Sequence, residues 1–181
     1  MREDKDNDIL ELIAKSSTRM QGFEALVIRY QEPIYWHIRR LVVSHEDAQD
    51  VMQECFINIH KYIDKFKHDS SLKTWVYKIA TNEAIRHFNK NKLDLNSYDN
   101  KTKLIEVFEA EEEIDFSSME AKLQKALLSL PEKQRVTFNL RHYEQMNYEQ
   151  IAEVTSTSVA TLKTNYHYAI TKIKDYMLKQ L

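Results

Sequence analysis

A chain of 181 residues with one glycine and two prolines has few ways to turn sharply. Glycine reaches positive φ without steric penalty, and proline interrupts helices and sheet ladders. Their scarcity therefore predicts long helices joined by short polar connections, with almost no sheet. The length suits one ordinary domain or two small ones. The expected fold class is all-α, in two helical domains.

Charge marks where the domains divide. The formal net charge is −2, but residues 1–92 carry 15 basic and 14 acidic side chains, 93–120 carry 2 and 9, and 121–181 carry 9 and 5. The stretch 93–115 includes Asn96, Ser97, Asn100, Glu109, Glu111, Glu112 and Glu113 and shows no sustained amphipathic period, so it reads as an acidic linker between domains at 1–92 and 116–181. Domains joined in this way are expected to move independently in the free chain. No apolar run approaches the roughly 20 residues that cross a bilayer, and a charged N-terminus offers no leader, so a cytoplasmic protein without membrane insertion is expected. Cys55 is the sole cysteine, which excludes an internal disulfide; it falls among apolar positions, where a thiol behaves as a small inert hydrophobe.

Apolar spacings of three and four place the helices. Ile9, Leu10 and Ile13 suggest a short first helix. Phe23, Leu26, Val27, Tyr30, Ile34, Ile38, Leu41 and Val42 mark a second, with a kink or break expected at Pro33. Ser44 can cap a third, whose apolar stripe runs Ala48, Val51, Met52, Cys55, Phe56, Ile59, Ile63 and Phe66, while Glu46, Asp47, Asp50, Gln53, Glu54 and Asn58 occupy its other side. A fourth covers Leu72 to Asn89. After the linker, Met119 to Leu130 forms a helix and Pro131 suits the first turn of the next, which uses Val136, Phe138, Leu140 and Tyr143.

The last two segments have the form of a helix-turn-helix. Asn147 with Gln150 caps a short helix, Thr155, Ser156 and Thr157 make the turn, and Ser158 caps a second helix packed through Val159, Leu162, Tyr166, Ala169, Ile173 and Met177. Thr161, Lys163, Thr164, His167, Tyr168 and Lys172 would face a major groove. A helical hairpin with a solvated face has the same pattern. A second constellation lies in Lys65 to Lys92, where seven basic and two acidic side chains are interleaved with Phe66, Trp75, Tyr77 and Phe88. Aromatic faces among cations suit unstacked bases, and equally suit a helical core. Glu83 and His87 stand one turn apart, but no third or fourth ligand is spaced to join them, so neither a metal nor a cofactor is expected and no residue is assigned a catalytic role. One glycine cannot build a phosphate loop.

These residues resemble a family. Glu46-Asp47-Ala48-Gln49-Asp50-Val51-Met52-Gln53-Glu54-Cys55-Phe56 is similar to the E-D-A-x-D-x-x-Q-E-x-F stretch of extracytoplasmic-function sigma factors. The segment from Ser71 to Asn82 is similar to their F-x-T-W-L-Y-x-I-A-x-N stretch. Leu130 to Arg135 resembles L-P-x-x-x-R, and Tyr148 to Ala152 resembles Y-x-E-I-A. Four elements in this order are far more specific than any one of them.

The resemblance implies a bacterial RNA polymerase sigma factor that binds core polymerase, opens promoter DNA and starts transcription of a particular regulon. Docking on the clamp helices of the beta-prime subunit would fall to Asp47, Asp50, Gln53, Glu54 and Phe56. The minus-ten element would be held by Lys67, Asp69, Ser70, Lys73, Trp75, Lys78, Asn82 and Arg86, and the minus-thirty-five element by Arg141, Lys163, Thr164, His167 and Tyr168. It also implies an anti-sigma partner and a monomer when free. Two departures stand out. The recognition helix lacks the family's run of arginines, which implies fewer phosphate contacts and a shallower salt dependence. The loop after Phe66 has Lys67-His68-Asp69 and no glycine. Rival readings are a helix-turn-helix repressor or activator that binds DNA without polymerase, a helical metal protein or enzyme built on Glu83 and His87, and an adaptor that binds only proteins.

Overall fold

The computed structural model describes residues 2–93, 100–110 and 118–179, and every regular element among them is helical. Helices α1 (Arg2–Ala14) and α2 (Arg19–Val42) form a hairpin; α3 (His45–Tyr62) and α4 (Leu72–Leu93) pack on α2. The chain's one glycine serves close approach. A Cβ on Gly22 would stand 2.7 Å from the Ile13 backbone nitrogen and 2.8 Å from Leu12 Cβ, so only a bare Cα lets α1 lie this near α2. Turns that would favour glycine fall to other residues: Val43, His68, Gln145 and Ser156 all adopt positive φ.

Helix α2 continues through Pro33 without a break, contrary to the expectation for an interior proline. Ile34 and Ile38 beyond it are fully buried, so packing carries the helix across the missing N–H. Ser44 caps α3, its Oγ accepting from the Asp47 amide at 3.0 Å. The α3 stripe ends earlier than its period suggested, because Ile63–Lys65 tighten into a 3₁₀ turn that still buries Ile63 and Phe66.

Helix α5 (Asn100–Glu109) lies inside the stretch expected to be a linker. Its Phe108 is buried with Val43, Ala121 and Leu128, and Ile105 and Val107 pack beside them. An acidic average had concealed this short apolar side. Asn96, Ser97, Glu111, Glu112 and Glu113 lie outside the described residues. Then follow α6 (Met119–Leu128), α7 (Glu132–His142), α8 (Tyr148–Thr155) and α9 (Val159–Leu178). Pro131 sits at the N-cap of α7, one residue before the predicted position.

The two halves do not stand apart as two independently moving bodies would. Val136, Leu140, Met146, Ile151, Val154 and Leu162 belong to the same apolar cluster as the cores of α1 to α4, with α8 packed on α4 and α7 on α2. The remainder of the C-terminal core, Ala126, Leu127, Leu130, Phe138, Ala169 and Ile173, forms its own cluster. Charge zoning had suggested separation because it is blind to the apolar side of α8, which faces α4.

Candidate nucleic-acid interface

Helix α3 presents Asp50, Gln53 and Glu54 to solvent, since Ala48, Val51, Cys55 and Ile59 take the buried stripe. Burial holds Cys55 as a neutral thiol, its pKa pushed up to about 12. Two of the predicted docking residues differ from the others. Asp47 anchors the first turn, with its carboxylate bonded to His87 Nε2 at 2.9 Å, and Phe56 is half-buried against the core. Ile57, 51 % exposed, sits one turn beyond Gln53 on the acidic face. An apolar residue off the core stripe was the available signal for it.

Helix α4 begins where Ser71 Oγ accepts from the Thr74 amide at 3.1 Å. Leu72, Thr74, Val76, Tyr77, Ala80, Thr81 and Ala84 are buried, because α2 and α3 cover one side and α8 another. Tyr77 and Phe66 are therefore core rather than base platforms. Trp75 is half-buried, its ring tilted on Phe66 at 5.4 Å between centroids. Lys67 and Asp69 are exposed in the loop, where His68 takes φ 58° in place of a glycine, and Ser70 and Lys78 are half-buried. Asn82 and Arg86 are exposed, Arg86 paired with Glu83, which also accepts from Asn58. Glu83 and His87 thus have separate partners, and no group of three or more metal-binding side chains occurs among the described residues.

The helix-turn-helix has the predicted caps. Asn147 and Gln150 complete a capping box on α8, Ser156 turns the chain in the left-handed region, and Ser158 Oγ accepts from the Thr161 amide at 3.3 Å. Leu162, Ala169 and Ile173 bury one side of α9, leaving Lys163, Thr164, His167 and Tyr168 exposed. Arg141 donates to the Met146 carbonyl at 2.7 Å and lies 5.0 Å from the Tyr148 ring centroid, with Lys163 at 5.8 Å from the same ring. One tyrosine thus gathers two of the predicted groove-facing cations.

Sequence reasoning missed a polar cluster between the halves. Glu144, in the turn after α7, accepts from the Tyr77 hydroxyl and from Arg40 at 3.4 Å, and its main-chain oxygen accepts from Lys73 Nζ at 2.7 Å. Arg40 also lies 4.0 Å from the Tyr143 ring centroid. Burial raises the Glu144 carboxyl above its ordinary range against the opposing pull of Tyr77, Arg40 and Lys73. Beneath it His37 is fully buried and bonded to Thr81 at 2.9 Å, its pKa brought down to about 3 by burial and then by Arg40 and Lys73. No helix among the described residues is long and apolar enough to cross a membrane.

Residues 26–93 match the sigma-70 region 2 family and residues 120–173 the sigma-70 region 4 family. The chain is 31 % identical over 169 residues to the ECF RNA polymerase sigma-E factor of Haemophilus influenzae, covering 88 % of each protein. It is 29 % identical over 174 residues to the RNA polymerase sigma-H factor of Pseudomonas aeruginosa, covering 91 % of this chain and 89 % of that one. Among solved structures it is similar to CnrH in complex with the cytosolic domain of CnrY, with a TM-score of 0.72 and 18 % identity over 98 % of this chain and 99 % of that one. It is also similar to the sigma factor RpoE of Bartonella quintana in complex with the anti-sigma factor NepR, with a TM-score of 0.69 and 19 % identity over 87 % and 97 % of the two chains.

Proposed function

The chain belongs to the extracytoplasmic-function sigma factors of the sigma-70 family, and from that premise we propose how its surfaces divide the work of starting transcription. Core RNA polymerase is engaged by the acidic face of α3, where Asp50, Gln53 and Glu54 offer uncrowded acceptors to basic side chains on the beta-prime clamp helices and Ile57 adds an apolar contact. Asp47 and Phe56 act from the edge of that face. The minus-ten element lies along the loop and α4, with Lys67, Asp69, Ser70, Lys73, Trp75, Lys78, Asn82 and Arg86 beside the opened strand. The minus-thirty-five element lies along α9, contacted by Arg141, Lys163, Thr164, His167 and Tyr168.

The domain boundaries that serve this division are 1–92 and 116–181, with 93–115, which includes α5, connecting them. The protein works in the cytoplasm, monomeric until it joins polymerase, and performs no catalysis of its own. A solved relative is bound to an anti-sigma factor, which supports sequestration of this chain by such a partner.

The observation that carries the reading is the exposed acidic stripe on α3 and the exposed polar face of α9 on one chain, in the order of regions 2 and 4. Run-off transcription with core polymerase on genomic promoter fragments tests it. Discrete start sites that appear with the protein and are lost with Asp50→Ala are expected. Silence of polymerase, with specific duplex binding by the protein alone, would replace the reading with a repressor or activator.

A further inference from the structure

We propose that Arg86 reads a guanine in the duplex at the margin of the minus-ten element, held in a fixed plane for that contact by Glu83 and, behind it, Asn58. The inference deepens the proposed function and rests on it for the presence of DNA along α4; the brace itself does not.

The brace runs from one helix to the next. Asn58 Nδ2 of α3 donates to Glu83 Oε1 at 3.0 Å, and a terminal nitrogen of Arg86 donates to Glu83 Oε2, so each carboxylate oxygen has its own donor. Glu83 and Arg86 stand one turn apart on α4 with the acid nearer the N-terminus, the favourable order for such a pair. Exposure divides along this chain of contacts: the Glu83 side chain is 12 % exposed and that of Arg86 is 66 % exposed. The carboxylate is thus set into the packing of α3 on α4, while most of the guanidinium faces water. His87, the next residue, is bonded to Asp47 at the start of α3. The residues that brace and follow Arg86 are therefore both tied to α3. Glu83 and Arg86 lie beyond the Ser71 to Asn82 stretch that carries the family resemblance, so the pair is a feature of this chain.

Such a brace suits a base better than a phosphate. A phosphate is held chiefly by charge and from many angles, and a carboxylate beside the arginine opposes it. The major-groove edge of guanine presents two neutral acceptors, O6 and N7, in one plane. A guanidinium whose orientation is already fixed loses less freedom in meeting both. At about 1.5 Å per residue, Arg86 stands about 16 Å along α4 from Trp75. At about 3.4 Å per base step that is about five steps, which takes it to the margin of the opened element, where paired bases display their major-groove edges.

The test uses core polymerase with the full chain, on a promoter from the run-off assay whose base pairs are randomised on both sides of the minus-ten element; transcribed templates are sequenced. Wild type should enrich guanine at one position by about tenfold, within the range of a bidentate arginine–guanine pair. Replacing that guanine by 7-deazaguanine, which lacks the N7 acceptor, should remove most of the gain. Arg86→Lys keeps the charge but not the fork, and should abolish the preference. Glu83→Gln and Asn58→Ala should each reduce the enrichment to about threefold, the loss expected for one hydrogen bond of the brace. Circular dichroism checks that each variant is folded, and if Asn58→Ala is not, Glu83→Gln decides. Discrete start sites without any guanine preference, or a preference that survives Arg86→Lys, would overturn the inference and leave the proposed function standing. A preference lost with Arg86→Lys but untouched by Glu83→Gln would overturn the brace. Absence of transcripts from the whole pool would overturn both the inference and the function it rests on.

Discussion

Helices α4 and α9 are assigned the same task, yet they are built in opposite ways. Helix α4 is covered on two sides, so it buries Thr74, Tyr77 and Thr81 beside the aliphatic residues, and Lys73 is engaged by the turn after α7. Helix α9 buries a single stripe, Leu162, Ala169 and Ile173, and leaves Lys163, Thr164, His167 and Tyr168 in water. The helix proposed to read the upstream element is displayed, while the helix proposed for the downstream element is partly covered. Exposure of a DNA-facing helix is therefore set by what packs behind it as much as by its own sequence.

The sharpest way to break this comparison is through the seam that α4 and α9 share by way of α8. Leu162 is 1 % exposed and lies in the cluster that also holds Leu72 and Val76 of α4. Leu162→Ala should cost about 2 to 5 kcal/mol in urea unfolding followed by circular dichroism. A loss below about 1 kcal/mol, within the range of surface substitutions, would mean that α9 is not anchored to the common core.

Legibility in the sequence followed the same division. Where one face of a helix is buried, spacing gave the answer: the α3 stripe as far as Ile59, the capping box at Asn147 and Gln150, the Ser158 cap and the exposed side of α9 are as the period and cap chemistry required. Helix α4 resisted because two partners cover it, which erases the single apolar stripe that periodicity detects and turned Tyr77 from a candidate base platform into core. Glu144 gave no signal, since its meaning depends on Arg40, Lys73 and Tyr77, distant in sequence and adjacent only after the halves meet. The short apolar side of α5 was lost in an acidic average.

Acidity should act through the α4 side of the molecule. His37, between α2 and α4, stays neutral in the folded chain down to about pH 3, whereas an unfolded histidine takes up a proton below roughly 6.5. The unfolded state therefore binds more protons in that window, and stability falls as pH drops through it, by as much as about 1.4 kcal/mol per pH unit, with no contribution above it. Glu144 works in the opposite sense, because its raised folded pKa favours proton uptake by the folded state. The difference between wild type and His37→Gln, measured by urea unfolding from pH 7 to 4, isolates the histidine. A variant as acid-sensitive as wild type would place the titration elsewhere.

Caps provide a smaller, symmetric comparison. Ser71 caps α4 and Ser158 caps α9, each accepting an amide three residues on. Ser71→Ala and Ser158→Ala should each cost about 1 kcal/mol, read from thermal unfolding. A clearly larger loss at Ser71 would show that the start of α4 also supports the loop after Phe66.

The smallest expected effect on stability is the most informative about α9. Tyr168 is 50 % exposed, so Tyr168→Ala should change unfolding by no more than about 0.5 kcal/mol. If α9 reads duplex DNA, the same substitution should weaken binding of the polymerase complex to promoter duplex without altering its salt dependence, because a phenol releases no counterions. Lys163→Ala should weaken binding as well, but with the slope of log K against log salt lowered by about 0.9 for a lost phosphate contact. That separation distinguishes a reading face from a merely solvated one. A solvated face would leave both slope and affinity unchanged in both variants. With so few cations on α9, each phosphate contact is a large share of the total, and a change of one unit in slope should be correspondingly easy to resolve.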